Sequence, residues 1–365
     1  MTASGLRGLR IGLIGPLPPP SGGMANQTRQ LAELLNAAGA TVTTVQVNAP
    51  YWPQWIAKVP GVRSVFRLVP YLTTLWRIAG RTDVFHVMAN SGWSWHLFAA
   101  PAVWVARIRR VAVVVNYRGG EAERFLLRSG STVRFTMRQT SALVVPSGFL
   151  QEVFSRFGMQ PEIVPNIIDL SRFPPRDPVR TGSPHLVVAR NLEPLYDNAT
   201  AIRAFQIVLT HYPQARLTIA GSGPEERVLR RLVADQGMGD MVRFAGRLER
   251  DAMASLYRSA DLVLNPSLAD NMPNSILEAW SSGVPVVSTN VGGIPHLARD
   301  GVNASLVPPS DPVAMGQSCL ALLSDASAWE ARVQAGLLEA KRYTWACVQP
   351  ILFDVYRRAM ATPLH

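Results

Sequence analysis

The chain has 365 residues, 48% of them hydrophobic and 17% charged, with a mean hydropathy of +0.10. That length and apolar content exclude a disordered chain and allow two domains, each with its own core. The net charge is +11, and the two cysteines, Cys319 and Cys347, exclude a disulfide framework and a cysteine metal cluster, which fits a reducing compartment.

Arg7 and Arg10 stand before IGLIG, an apolar run too short for a signal peptide, which reads as the first buried strand. The strand over 10–15 leads into GPLPPPSGG (15–23) and a helix over about 24–39. Strand, Gly-rich loop and helix match the phosphate-facing arrangement of an α/β domain, although the loop is not GxGxxG. A Pro-rich loop rounding a sheet edge is the competing reading. TVTTVQV (41–47) is the next strand.

Residues 51–81 change character. Tyr51, Trp52, Trp55, Tyr71 and Trp76 are interleaved with Lys58, Arg63, Arg67, Arg77 and Arg81. On a helical wheel the four arginines fall within an arc of roughly 80°. Val62, Val65, Phe66, Val69, Leu72 and Trp76 supply much of the remaining surface. A basic amphipathic helix with Trp suits an anionic membrane surface; the alternative is an apolar side packed on its own sheet with solvated arginines. Pro70 predicts a kink or a split. Between 51 and 128, eleven basic side chains meet only Asp83, Glu121 and Glu123.

DVFHVMA (83–89) is a strand. Residues 84–106 carry no formal charge, but Asn90, Ser91, Gly92, His96 and Pro101 make a poor membrane span, and a buried helix is expected. VAVVVNY (111–117) is another buried strand, with Arg118, Gly119 and Gly120 at its carboxyl end, where α/β sheets place ligands. ALVVPS (142–147), a helix over 148–157 and EIVPNIID (162–169) complete the first half. RFPPRDPVRTGSP (172–184) has four prolines and no apolar period, and reads as a linker.

The second half restarts the pattern. Strands are expected at PHLVVARN (184–191), ARLTIAGSG (215–223), MVRFAGRL (241–248), DLVLNPS (261–267) and ASLVPPSD (304–311), with helices over 198–211, 224–236 and 252–259 between them. This alternation predicts a parallel, doubly wound sheet, so the fold class is α/β with two Rossmann-like domains facing a cleft. The closing 327–360 is helical, with a break near Tyr343 and Thr344.

The stretch 265–288, NPSLADNMPNSILEAWSSGVPVVS, carries the most chemistry. Pro273 suits a first helical position, Asp270 or Asn271 the cap, and Gly283 the stop. A helix start attracts phosphate, whereas Asp270 and Glu278 repel it but accept hydrogen bonds from hydroxyls. Together they suggest a phosphorylated, hydroxyl-rich ligand, set against a capped surface helix with two solvated acids.

These segments resemble the retaining glycosyltransferases of family four, which have the GT-B fold. The resemblance includes SGG (21–23), VVPSGFLQEVFSRFGMQPEIVPNIIDLSRF (144–173), ARNLEP (189–194), LTIAGSGPE (217–225), VRFAGRL (242–248), ADLVLNPS (260–267) and, most specifically, residues 270–311. It implies an N-terminal acceptor domain over 1–173, a linker over 174–183, a nucleotide-sugar domain over 184–342, and a helix over 343–365 returning to the first domain. By position, Glu278 matches the family's ribose-binding Glu, and Asp270 replaces the Glu that faces the donor sugar. Arg190 matches the diphosphate-binding Arg, and Gly22 and Gly23 match the loop near the donor phosphates. Asn271, Met272, Pro273, Asn274 and Gly246 complete the implied substrate-binding set, with Asp270, Arg118 and Arg190 as the catalytic set. Two departures stand out. Leu195 and Tyr196 occupy the positions of the family's Lys, and Arg118 lies where many members have a His; as a permanently charged group it cannot be a general base.

The resemblance implies retaining sugar transfer from a UDP- or GDP-linked donor to a glycan or lipid-linked acceptor, without metal or cofactor. Closure of the two domains would exclude water. The expected partners include an anionic membrane surface and no nucleic acid, and the expected location is cytoplasmic, at the inner face of the plasma membrane. A GT-B sugar-nucleotide epimerase and a non-catalytic sugar-nucleotide-binding or membrane-associated scaffold are the alternatives.

Overall fold

The computed structural model describes residues 6–19, 22–49, 62–176 and 183–361, with backbone alone for 62–65. Tyr51, Trp52, Trp55 and Lys58 lie outside the described residues, as do 177–182 of the expected linker. The chain divides into two compact units, Met1–Asn166 with Val348–His365, and Ile167–Cys347.

The first unit is built on six parallel strands, β1 (Arg10–Gly15), β2 (Thr41–Gln46), β3 (Val84–Ala89), β4 (Ala112–Tyr117), β5 (Ala142–Val145) and β6 (Glu162–Ile163), in the order β2-β1-β3-β4-β5-β6. Every residue of β3 is buried, as a strand covered on both faces requires. The connecting helices are α1 (Gly23–Ala37), α2 (Val62–Ala79), α3 (Ala100–Arg109), α4 (Ala122–Met137) and α5 (Gly148–Arg156). Helix α2 runs through Pro70 without a split. Pro70 and Phe66 are both exposed, so water can take the carbonyl that proline leaves unpaired four residues earlier. The uncharged run after β3 becomes a π-helical turn, Trp95–Ala99, continuing into α3. No described helix is long and apolar enough to cross a membrane.

The second unit repeats the scheme with β7 (His185–Ala189), β8 (Arg216–Ala220), β9 (Val242–Gly246), β10 (Leu262–Asn265), β11 (Val286–Thr289) and β12 (Ser305–Val307), all parallel, in the order β12-β11-β10-β7-β8-β9. Its helices are α6 (Asn198–Leu209), α7 (Glu226–Asp235), α8 (Arg250–Ser259), α9 (Asn274–Ser281), α10 (Ile294–Leu297), α11 (Pro312–Ser324) and α12 (Ala326–Ala340). The two-residue period of a strand sorts side chains onto opposite faces. Leu186, Val188, Leu262 and Leu264 enter one core with α6 and α11, while Val187 and Val263 enter the other with α8 and α9.

Residues 167–173 belong with this second unit, not with the first as expected. Ile168 and Phe173 sit in the core beside Val187 and Trp280, and Arg176 pairs with Asp261 at 2.9 Å. A 3-10 turn, Lys341–Tyr343, precedes the last helix, α13 (Trp345–Ala361), whose residues from Val348 onward group with the first unit.

In open α/β sheets ligands bind beyond the carboxyl ends of strands, where successive connections leave in opposite directions. In the first unit that point lies between β1 and β3. In the second it lies between β7 and β10, which places Arg190 next to the stretch 266–273.

Candidate active site

Arg190 is the first residue past β7, and its side chain lies across the exit of β10. Its Nη2 donates to Ser267 Oγ at 2.9 Å and, in a closer contact, to Asp270 Oδ2; its Nη1 donates to Ser275 Oγ at 3.4 Å. The Tyr196 ring lies 4.3 Å from the guanidinium carbon, in cation–π range. Only 10% of the Arg190 side chain and 15% of the Asp270 side chain are exposed. Burial pulls the Arg190 pKa below its usual value, against the opposing pull of neighbours that include Glu278. Arg190 Nε is buried with no hydrogen-bond partner among the described residues.

Backbone contacts fix this cluster from below. Gly293 N donates to Asp270 O at 2.8 Å, and Asn271 N donates to Asp270 Oδ1 at 2.8 Å. A Cβ on Gly293 would overlap the Asn271 carbonyl oxygen, and one on Gly221 would overlap the Arg190 carbonyl oxygen. Both positions therefore need glycine for close approach rather than for flexibility.

Helix α9 begins at Asn274, with Pro273 as its extended cap residue, so neither Asp270 nor Asn271 caps it and no side chain takes that role. The carboxylates Asp270 and Glu278 are used elsewhere. Gly283, at φ +67°, ends the helix as expected, with its N–H bonded to Trp280 O. Met272 is only 6% exposed and packs among Ile276 and Leu277, so its side chain belongs to the core and its backbone is what it can offer a ligand. Glu278, half-buried one turn into α9, accepts from Tyr257 Oη at 2.9 Å. Burial pushes its pKa up to about 7, although Tyr257, Arg250 and Arg190 pull the other way. Gly246 closes β9 at φ +66° and accepts from Gly221 N at 2.8 Å.

In the first unit, Gly22 is the extended cap of α1, with no side chain capping the helix and open space where a Cβ would stand. Gly23 is the first helical residue. Arg118, one residue past β4, donates from Nε to Asn116 Oδ1 at 3.1 Å and from Nη1 to Asn166 Oδ1 in a closer contact. Burial lowers its pKa to about 10.

Residues 21–172 match the family described as Glycosyltransferase Family 4, and 183–325 match Glycosyl transferases group 1. The chain belongs to the family-four glycosyltransferases. It is 25% identical to a phosphatidyl-myo-inositol mannosyltransferase of Mycobacterium leprae, over 95% of this chain and 96% of that one. It is 29% identical to a D-inositol 3-phosphate glycosyltransferase of Frankia alni, over 70% of this chain and 67% of that one. Its fold is shared with a sucrose-phosphate synthase from Thermosynechococcus elongatus (TM-score 0.78, 19% identity, 97% and 99% of the two chains). It is shared also with the Anabaena protein HepE, solved with UDP and glucose (TM-score 0.73, 17% identity, 94% and 98%). The fold is GT-B, with two Rossmann-like domains.

Of Leu195 and Tyr196, the two residues at the positions expected for a Lys, Tyr196 stacks its ring on Arg190. The neighbouring Leu195 O accepts from Leu268 N at 2.8 Å and ties that turn to the Asp270 loop. Sequence reasoning singled out Arg190, Asp270 and Glu278 but not the residues that contact them, Ser267, Ser275 and Tyr257. Ser267 had a usable signal, a polar residue just past a buried strand at the sheet's switch point; Tyr257 had none.

Proposed function

We propose that this glycosyltransferase moves a sugar, with retention at the anomeric carbon, from a UDP- or GDP-linked donor to a lipid-linked or polysaccharide acceptor. The cluster of Arg190, Ser267, Asp270 and Ser275 at the switch point of the second unit carries this reading. It brings a buried cation, hydroxyls and a carboxylate to the place where such sheets bind nucleotides. Arg190 and the start of α9 would stabilise charge growing on the leaving diphosphate, and Asp270 would accept from the donor sugar's hydroxyls. Glu278 would accept from the ribose. The acceptor hydroxyl would attack on the face the diphosphate leaves, with no enzyme nucleophile and no metal ion. The inositol phosphates in the names of the two relatives agree with an anionic acceptor, for which Arg118 is the candidate contact.

The reading extends to an anionic membrane surface. On α2, Tyr71, Leu75 and Ala79 pack inward while Phe66, Val69 and Trp76 stay exposed, with Arg77 and Arg81 beside them and Arg109 stacked over Trp76 at 4.9 Å. Exposed aromatics among arginines suit the interface of anionic lipid. Flotation with anionic liposomes at low salt tests it; no flotation, or none lost on replacing Arg63, Arg67, Arg77 and Arg81, rejects it.

A panel of nucleotide sugars tests the donor. The true donor raises the melting temperature and supports transfer, and NMR of the first-formed product shows the donor's anomeric configuration. An inverted product, or a donor converted without acceptor, overturns the reading.

A further inference from the structure

Behind Arg118 runs a line of buried polar side chains that the proposed reaction does not use. Asn116 Nδ2 meets His86 Nε2 at 3.1 Å, and His86 Nδ1 meets Tyr356 Oη at 2.8 Å. His86 is in the middle of β3, Asn116 near the end of β4, and Tyr356 on α13; His86, Asn116 and Tyr356 are at most 1% exposed. The direction of each bond follows from chemistry. Arg118 has only donors, so Asn116 must present its oxygen there and its NH2 to His86. His86 Nε2 therefore accepts, the neutral ring carries its proton on Nδ1, and Nδ1 donates to Tyr356. Burial and the nearby Arg118 hold the His86 pKa down at about 3, so this arrangement does not change near neutral pH.

We propose that Asn116, His86 and Tyr356 are positioning residues, which together with Asn166 fix the guanidinium of Arg118 for an anionic group of the acceptor. This rests on the reading of Arg118 as a substrate contact. A long arginine side chain loses rotamer freedom when it binds. Holding it in place beforehand removes part of that loss. Asn116 and Asn166 grip two different nitrogens of one planar group, and two such points set the plane. Buried amides and a neutral imidazole carry no negative charge of their own to compete with the acceptor for this cation. The last helix enters through Tyr356, whose ring also meets His86 edge-on at 5.7 Å between centroids.

The test is a set of double-mutant cycles in the full-length enzyme, with acceptor and donor kinetics measured separately. Arg118→Ala should raise the acceptor KM about 30-fold and leave the donor KM within about twofold. Asn116→Ala should raise the acceptor KM about tenfold, and Tyr356→Phe, which keeps the ring, about threefold. Neither should add any loss on the Arg118→Ala background, because residues that act through one group are not additive. Additive losses, or donor and acceptor KM rising together, would mean a merely structural role and overturn the proposal while leaving Arg118 as a contact. A silent Arg118→Ala overturns both. Should Asn116→Ala fail to fold, the Tyr356→Phe and Asn166→Ala cycles decide in the same way.

Discussion

The two units hold Arg190 and Arg118, each just past the carboxyl end of a strand, in different company. Arg190 lies against a carboxylate, two hydroxyls and an aromatic ring, whereas Arg118 rests on the amide oxygens of Asn116 and Asn166. The titrating groups differ as well. In the second unit burial raises Glu278 to about 7, and in the first burial lowers His86 to about 3. The residue type associated with switching near neutral pH is therefore silent here, and a glutamate takes its place. Environment decides which group titrates: a neutral imidazole is tolerated in a dry core, and so is a neutral carboxyl, but neither charged form is.

The sharpest way to break the comparison is Arg190→Ala. Loss of a preorganised donor at a developing charge should lower kcat/KM by about 10²- to 10³-fold and abolish the thermal shift with nucleotide sugar. An effect no larger than that of Arg118→Ala would mean that the diphosphate is held elsewhere.

Glu278 sets the next largest effect, and it depends on pH. Its folded pKa lies above the ordinary carboxyl value of 4.5. In the ligand-free protein the ionised form is therefore disfavoured, and stability falls as pH rises from the unfolded value through about 7. A ribose hydroxyl donating to the carboxylate favours ionisation, so binding expels a proton below pH 7. Nucleotide affinity should then rise with pH, by at most about tenfold per unit, and level off above 7. Glu278→Gln should bind roughly tenfold more weakly at pH 8 and lose the dependence. Titration calorimetry in two buffers of different ionisation enthalpy reads the proton directly. The same measurement on His86 variants should show the proton release unchanged.

Asp270→Glu is a finer test. Restoring the missing methylene should change the ratio of kcat/KM between two donor sugars by about tenfold, with nucleotide affinity unchanged. The smallest expected effect is that of EDTA, which should leave the initial rate where it was; a rate lost to chelation and restored by a divalent ion would remove Arg190 from its assigned role.

The fold was legible because the strands are short apolar runs set at regular intervals between helical stretches, and both sheets came out parallel. Arg190, Asp270 and Glu278 were legible from their places in recognisable segments. What could not be read was the company they keep. Ser267 meets Arg190 across 77 residues of sequence, and Tyr356 meets His86 across 270. Such pairs exist only once the sheet order brings the elements together. The α9 cap was misread for a local reason: the helix starts one residue past Pro273, and the Asp270 carboxylate is taken by Arg190 and by the adjacent Asn271 amide. The split expected at the α2 proline did not occur, because its cost depends on whether the freed carbonyl reaches water, which the sequence does not state.

Gly221 and Gly293, where backbone lies directly on backbone, have a consequence for how this enzyme can change. Any substitution there must move the loops bearing Arg190 or Asp270, so the foundation of this cluster is closed to gradual variation. Leu268 and Ala269, on the more open side of the same loop, are free to vary. A saturation library should return almost nothing but glycine at 221 and 293 and many residues at 268 and 269. New donor preferences would arise on that rim, by altering what surrounds a fixed cation rather than by moving it.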